Sequence, residues 1–158
     1  MQDKYELENF DSVWERVTSA NNDSEPDSAE LIKLRGFMDM EATDAAEYTR
    51  LIRNSRGMPA RILSEITGEK KRRLKLLETV HFIMTGDTYA PTVDKGECVT
   101  FLEALRDRYQ SEVSSARAYK KAWNEAENER LLEIYADFSA ESVRHVRMLE
   151  DLISTMMG

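Results

Sequence analysis

Glycine, proline and cysteine are scarce in this chain. It has six glycines and three prolines among 158 residues, which is below average usage. Strong helix formers such as leucine, alanine, glutamate and lysine are abundant instead, and this composition favours an all-α fold over a β-sandwich or barrel. The single cysteine, Cys98, excludes an internal disulfide and a zinc ribbon or rubredoxin-type site. Because no histidine lies near it in the sequence, we predict that Cys98 is inert.

Long apolar runs are also missing. No run approaches the roughly 20 residues that span a bilayer, and the first ten residues are acidic and lack the apolar stretch of a secretory signal. We therefore expect a soluble, cytoplasmic protein that binds no membrane. The net charge of −8 also argues against nucleic acid as a partner.

The first 29 residues differ in composition from the rest. Phe10, Val13, Trp14 and Val17 are spaced i, i+3, i+4, i+7, which predicts a short amphipathic helix. The polar stretch SANNDSEPDS after it predicts a linker. We divide the chain into an N-terminal arm with its linker (1–29) and a helical domain (30–158). The apolar stripe needs a surface, which is either its own domain or a second subunit or partner.

Four long helices are predicted after the linker. Gly57 is a stop signal and Pro59 suits the first turn of a helix, so together they separate helices one and two. Gly86, Pro91 and Gly96 mark a long connection before helix three. The predicted helices cover residues 30–54, 59–84, 99–124 and 128–156.

An internal repeat places the last turn, whose sequence NEAEN has neither glycine nor proline. The phrase Glu-x-x-x-Ala-x-x-Tyr occurs at residues 41–48 and again at 112–119, and residues 69–78 match 141–150 at Glu, Arg, Leu and Glu. Two related helical hairpins joined by a crossover make a four-helix bundle with one long connection.

These features resemble the rubrerythrin branch of the ferritin-like superfamily over about residues 30–156. The resemblance rests on the Glu41 and Glu112 phrases, on KRRLKLLE and VRHVRMLE, and on the long crossover. It implies a ferritin-like bundle with a di-iron site between the hairpins and a reaction with peroxide or oxygen, often with a rubredoxin domain delivering electrons. It also implies association, so we expect a homodimer in which the arm packs near the subunit contact.

Half of the ligand set implied by the resemblance carries over. Glu41 and Glu112 match the glutamates of helices one and three, and His145 matches the histidine of helix four. Glu69 and Glu141 lie one residue before the remaining glutamate positions, rotated by about 100° around the helix, so they reach the site only if the helix or side chain shifts. These five residues are the candidate metal ligands, for iron or another divalent metal.

Three of the implied ligand positions carry other residues. Arg73 stands at the histidine position of helix two, and Lys70 and Ser142 stand at the glutamate positions. The charges of Lys70 and Arg73 cancel those of Glu41 and Glu112 without a metal, and arginine binds carboxylates by paired hydrogen bonds. We predict that both cations point into the bundle, pair with Glu41 or Glu112 and replace the metals, so that no cofactor is needed. A single metal held by Glu41, Glu112 and His145, with Glu141 as a further ligand, is the alternative.

A literal Glu-x-x-His motif occurs at Glu78 and His81, but its spacing argues against a metal site there. Glu41 and Arg73 are equally far from Gly57, so the two are level in an antiparallel hairpin. His81 lies about 12 Å farther along, at 1.5 Å per residue. We predict that His81 is a partly buried or surface histidine.

Two functions remain open from the sequence. The first is a non-catalytic, degenerate relative of rubrerythrins whose bundle serves assembly or binding, and Lys70 and Arg73 favour it. The second is a non-haem iron oxidoreductase or peroxidase with one or two metals, and Glu41, Glu112 and His145 favour it. That enzyme needs an external electron donor, because the chain lacks the cysteines of a rubredoxin-type site.

Overall fold

The described part of the chain consists of four long helices. The computed structural model describes residues 28–97 and 99–158, apart from the side chain of Ser28. The helices are α1, Ser28–Arg53; α2, Gly57–Thr85; α3, Phe101–Glu125; and α4, Glu129–Met157. Within these ranges there is no strand, so the predicted all-α class and the four helices are confirmed. The predicted arm helix with its apolar stripe (10–17) and Cys98 lie outside the described residues.

Local signals fix three of the helix ends. Gly86 ends α2 in the left-handed conformation, with φ of 76°, which glycine adopts without strain. α3 begins with a capping box in which Thr100 and Glu103 exchange hydrogen bonds. Asn128 caps α4 by accepting hydrogen bonds from two backbone N–H groups of its first turn. This cap explains how the last turn forms without glycine or proline.

Gly57 opens α2 instead of ending α1, which corrects the sequence prediction. α1 ends at Arg53 and residues 54–56 form the turn. Gly57 is the first residue of α2 and has φ of 67°, a conformation that a side chain disfavours. Pro59 lies inside the first turn of α2, as predicted, where its missing N–H costs no helical hydrogen bond.

The helices pair as two antiparallel hairpins, α1 with α2 and α3 with α4. The connection between the hairpins, described over residues 86–97 and 99–100, lies beside α1. The hydroxyl of Tyr89 donates to the carboxylate of Asp39 (3.0 Å), and the N–H of Gly96 donates to Glu47 Oε1 (3.2 Å) farther along the same helix. The connection therefore brings the chain back to the C-terminal end of α1 before α3 begins.

Apolar side chains are buried in two clusters at different levels of the bundle. The first cluster includes Leu34, Met38, Leu77, Leu131, Tyr135 and Phe138. The second includes Leu51, Leu63, Ile66, Leu105, Leu149 and Leu152. Each large apolar side chain so buried contributes about 1.5–3 kcal/mol. Over the described ranges, no helix has the length and apolar character needed to cross a membrane.

Candidate functional site

Six acidic or basic side chains are buried at the level between the two apolar clusters. All four helices contribute, and each of the six is at most 3% exposed. They form the buried charged layer: Glu41 and Asp44 on α1, Lys70 and Arg73 on α2, Glu112 on α3, and His145 on α4. Burying a charge is costly unless it is paired and hydrogen-bonded. The partners of each group therefore determine whether its charge is stabilised and whether it is free to bind a metal.

Lys70 lies between three carboxylates. Its Nζ is 3.1 Å from Asp44 Oδ2, 3.1 Å from Glu112 Oε1 and 3.6 Å from Glu41 Oε2. Burial lowers the pKa of Lys70, but the three carboxylates outweigh burial and raise that pKa above its usual value. Lys70 is therefore a permanent ammonium ion inside the bundle.

Arg73 joins α2 to α1 and α4. Its Nη1 donates to Glu41 Oε1 (3.2 Å) and to Ser142 Oγ (3.0 Å), and its Nε donates to Glu141 Oε1 (2.6 Å). Burial lowers the pKa of Arg73, and the charges of Glu41 and other neighbours more than offset this, so the pKa is raised. The prediction that Lys70 and Arg73 point inward and pair with Glu41 or Glu112 is confirmed.

The two tyrosines of the internal repeat form crossed hydrogen bonds. Tyr48, in the first repeat, donates to Oε1 of Glu112 in the second (2.7 Å). Tyr119, in the second repeat, donates to Oε1 of Glu41 in the first (2.6 Å). Burial first, and then these carboxylates, raise the pKa of both hydroxyls. Each repeat therefore supplies the hydrogen-bond donor for the glutamate of the other.

The carboxylate of Glu112 has three partners that favour its ionised form. His145 Nδ1 lies 3.4 Å from Glu112 Oε2, and Lys70 and Tyr48 contact the other oxygen. Burial raises the pKa of Glu112, but the hydrogen bond from His145 and the charge of Lys70 outweigh it and lower the pKa to about 2. Glu112 is therefore ionised at neutral pH.

Sequence reasoning does not identify two members of this network, Asp44 and Arg108. Asp44 Oδ1 accepts hydrogen bonds from Arg108 Nη1 (2.8 Å) and Ser111 Oγ (3.1 Å), while its Oδ2 contacts Lys70. The available signal for Asp44 is its position three residues after Glu41, on the same helix face. Arg108 lies outside the repeated phrase, and its pairing depends on the register between α1 and α3.

Glu69, Glu141 and His145 form a second group, the rim cluster, at the edge of the charged layer. One ligand atom from each lies within 4.8 Å of the other two. His145 Nε2 contacts Glu69 Oε2. His145 is fully buried, whereas the side chains of Glu69 and Glu141 are 22% and 16% exposed. The glutamates thus contact the layer from its rim, Glu69 at His145 and Glu141 at Arg73.

His81 lies apart from both groups and has partners of its own. Arg35 Nε donates to His81 Nε2 (3.1 Å), and His81 Nδ1 lies 3.0 Å from the carbonyl oxygen of Asp87. It is 1% exposed, more buried than we predict from the sequence. His81 therefore joins α2 to α1 and to the start of the connection.

The buried charged layer does not fit a dinuclear metal centre. Lys70 Nζ stands between the carboxylates of Glu41 and Glu112, which are ligands that the resemblance implies, and the Arg73 guanidinium pairs with Glu41. With Arg108 paired to Asp44, side-chain cations match the carboxylates of the layer without any metal ion. Two further cations there would meet positive charge instead of free carboxylates.

Comparison with known proteins gives no relative from which a function can be transferred. No protein-family model, curated protein or solved structure matches the chain.

Proposed function

We propose that this chain is a ferritin-like bundle protein of the rubrerythrin type in which side-chain cations replace the metals. On this proposal it is not a redox enzyme and serves assembly or binding. The observation that carries the proposal is the position of Lys70 and Arg73, both completely buried and both paired with the glutamates implied as metal ligands. A cation fixed at this place neutralises the carboxylates, because neither side chain can leave without leaving a buried charge unpaired.

The protonation states of the layer also favour a structural role. A catalytic acid or base works best with a pKa near the operating pH. Here the pKa of Lys70 is raised, that of Glu112 is lowered to about 2, and those of Tyr48 and Tyr119 are raised. These four groups keep their protonation states around neutral pH, so they suit a permanent network better than proton transfer.

The ferritin-like part of the proposal is supported by topology and by the repeat. Two hairpins joined by one long connection are typical of ferritin-like bundles, and here the connection lies beside α1. The repeated glutamates, Glu41 and Glu112, both reach the centre, where each takes a hydrogen bond from the tyrosine of the other repeat. This is the arrangement expected of two related hairpins around a common centre.

The test is iron loading of the purified full chain. Fe²⁺ is added without oxygen, oxygen is admitted, and bound iron and the visible spectrum are measured. We expect fewer than about two iron ions per chain and no absorption of an oxo-bridged di-iron centre, because cations occupy the implied ligand positions. The double variant Lys70→Glu with Arg73→His should bind iron more tightly than wild type. Two bound irons with the oxo absorption in wild type would refute the proposal.

A second function is favoured by the rim cluster alone. Its two carboxylates and one imidazole are able to hold a single metal ion, which suits a one-metal oxidoreductase or peroxidase with an external electron donor. The metal-loaded chain should then consume hydrogen peroxide in the presence of an artificial reductant, and His145→Gln should lose that turnover. No turnover above that of the free metal would exclude this function.

A further inference from the structure

We propose that the N-terminal arm of this chain docks in a groove between α3 and α4 of its own bundle. The part of the arm that binds is residues 10–18, which include the apolar stripe. The inference concerns the outer surface of the bundle and does not depend on the proposed function. The residues that line this α3–α4 groove include Leu102, Arg106, Tyr109, Gln110, Ile153 and Met157.

On the first hairpin, the equivalent place is covered by the connection between the hairpins. The hydroxyl of Tyr89 donates to the carboxylate of Asp39 (3.0 Å). The ring of Tyr89 lies 5.6 Å from that of His81, and Arg35 Cζ lies 5.6 Å from the centre of the tyrosine ring. The segment before α3 therefore places an aromatic side chain against α1 and α2.

The α3–α4 groove is the counterpart of this place on the second hairpin. The internal repeat relates α1 to α3 at an offset of 71 and α2 to α4 at an offset of 72, so the three residues around Tyr89 map onto Arg106, Gln110 and Ile153. The groove has a volume of about 300 Å³, and Leu102 and Met157 in its lining are 36% and 71% exposed. The second hairpin therefore exposes an apolar surface where the first is covered.

The chain before α1 carries apolar residues at the matching position. Tyr89 precedes Phe101, the first residue of α3, by twelve residues. Phe101 corresponds to Glu30 in the repeat, and twelve residues before Glu30 is Thr18. The apolar stripe ends next to it, at Val17. The repeat therefore assigns the stripe to the α3–α4 groove, as it assigns Tyr89 to the first hairpin.

The length of chain before α1 is sufficient for this docking. Helices α1 and α3 are antiparallel, and Tyr48 contacts Glu112, so Gln110 lies near the level of residue 50. The groove is then about 33 Å from Ser28 along the bundle, at 1.5 Å per residue. The eleven residues from Val17 to Ser28 reach about 36–40 Å when extended. The linker reaches the groove as an extended segment over α3.

Charge complementarity favours the same face. Residues 1–27 contain eight acidic and two basic residues. Arg106, Arg117 and Lys120 are exposed on α3, and they share one helix face because they are separated by 11 and 14 residues, close to whole numbers of turns. Within the described part of the chain, none of these three cations forms an ion pair. The acidic arm therefore meets unpaired positive charge along α3.

Disulfide trapping in the full chain tests the proposal. In the Cys98→Ser background, Thr18→Cys combined with Gln110→Cys should form an intrachain disulfide under mild oxidation, because docking brings the two positions within disulfide range. Thr18→Cys with Lys75→Cys, on the exposed side of α2, is the matched control and should stay reduced. Non-reducing electrophoresis and mass spectrometry identify the product. A disulfide-linked dimer would assign the groove to the arm of a second copy and overturn the proposal, and so would the absence of any disulfide.

The fluorescence of Trp14 gives an independent measurement. The chain has two tryptophans, so the Trp123→Phe background leaves Trp14 as the single emitter. Its emission should lie at shorter wavelength than in the urea-unfolded chain, and Arg106→Glu should shift it to longer wavelength by repelling the acidic arm. Arg61→Glu, on the exposed side of α2, is the matched charge reversal and should leave the emission unchanged. Equal emission in all three proteins would overturn the proposal, whatever the result of the iron test.

Discussion

One guanidinium, that of Arg73 on α2, contacts side chains of all three other helices. It contacts Glu41 on α1 and Glu141 on α4, and it lies over the rings of Tyr119 and Phe138, with Cζ 5.7 and 5.2 Å from the ring centres. Cation–π contacts of this kind are stronger in the absence of water. The neighbouring residue, Arg72, carries the same charge on a side chain that is 63% exposed. Because the two adjacent residues have the same side chain, replacing each in turn tests how burial changes the contribution of an arginine to stability.

We expect Arg73→Met to lower the free energy of unfolding by about 3–5 kcal/mol, because Glu41 is left as a buried charge with one partner fewer. Arg72→Met should change it by no more than about 1 kcal/mol, as is usual for an exposed pair. Urea unfolding followed by circular dichroism measures both. Similar losses of unfolding free energy in the two variants would mean that burial does not increase the contribution of Arg73 to stability.

Glu112 makes stability depend on pH. Its pKa of about 2 in the folded chain lies below the value of about 4.3 in an unfolded chain. The ionised form therefore stabilises the native state above about pH 4.5, and this contribution is lost as the pH falls towards 2. Its full size is on the order of 3 kcal/mol.

The variant Glu112→Gln checks this pH dependence. Between about pH 5 and pH 3, its free energy of unfolding should fall less steeply than that of wild type, since the group that takes up a proton on unfolding is gone. Glu150→Gln, on the exposed side of α4, should keep the wild-type slope. An unchanged slope in Glu112→Gln would show that other carboxylates set the acid response.

At the scale of the helices, the crossed Tyr–Glu bonds join α1 to α3. Tyr48→Phe and Tyr119→Phe should each cost about 1–3 kcal/mol, because a buried carboxylate loses a donor. The two costs should be similar, since the bonds are equivalent in the two repeats. Tyr109→Phe, at a partly buried position on α3, should cost less than about 0.5 kcal/mol. Urea unfolding of the three variants measures these costs. A cost for Tyr109→Phe equal to the other two would contradict a specific contribution from the Tyr–Glu hydrogen bonds.

Much of the helical framework is predictable from the sequence. The composition indicates helices, Gly86 marks the end of α2, and the repeat places the last turn where no breaker residue stands. Gly57 shows the limit of such signals, because a glycine with positive φ serves equally after one helix or before the next. The backbone path, which the sequence does not state, decides between the two.

The candidate site is predictable only in part. Lys70 and Arg73 can be assigned to the centre because their distance from the turn makes them level with Glu41. The pairing of Asp44 with Arg108, by contrast, depends on how α3 slides and rotates against α1, and helical periodicity alone does not fix either. Glu141 lies between core and solvent, so a rotation of about 100° leaves its side chain within reach of Arg73 instead of excluding it.

At the scale of the whole molecule, the arm and the homodimer stay predictions. The apolar stripe at Phe10, Val13, Trp14 and Val17 is too short to form a stable helix alone in water, and the linker after it spans roughly 15–20 Å as a coil. Deleting residues 1–24 should shift the protein from dimer towards monomer in size-exclusion chromatography with light scattering. An unchanged mass and melting temperature would assign the arm to an outside partner.

The division of charge between the hairpins has a consequence for the order of folding. The α1–α2 hairpin carries two carboxylates of the charged layer, Glu41 and Asp44, and its two cations, Lys70 and Arg73. These groups therefore form ion pairs within the hairpin. In the α3–α4 hairpin, Glu112 has only His145 from that layer beside it, and its closer partners, Lys70 and Tyr48, lie in the other hairpin. The N-terminal half of a chain leaves the ribosome first. The first hairpin is therefore able to complete its own charge pairs early and then to act as the template on which the second hairpin folds.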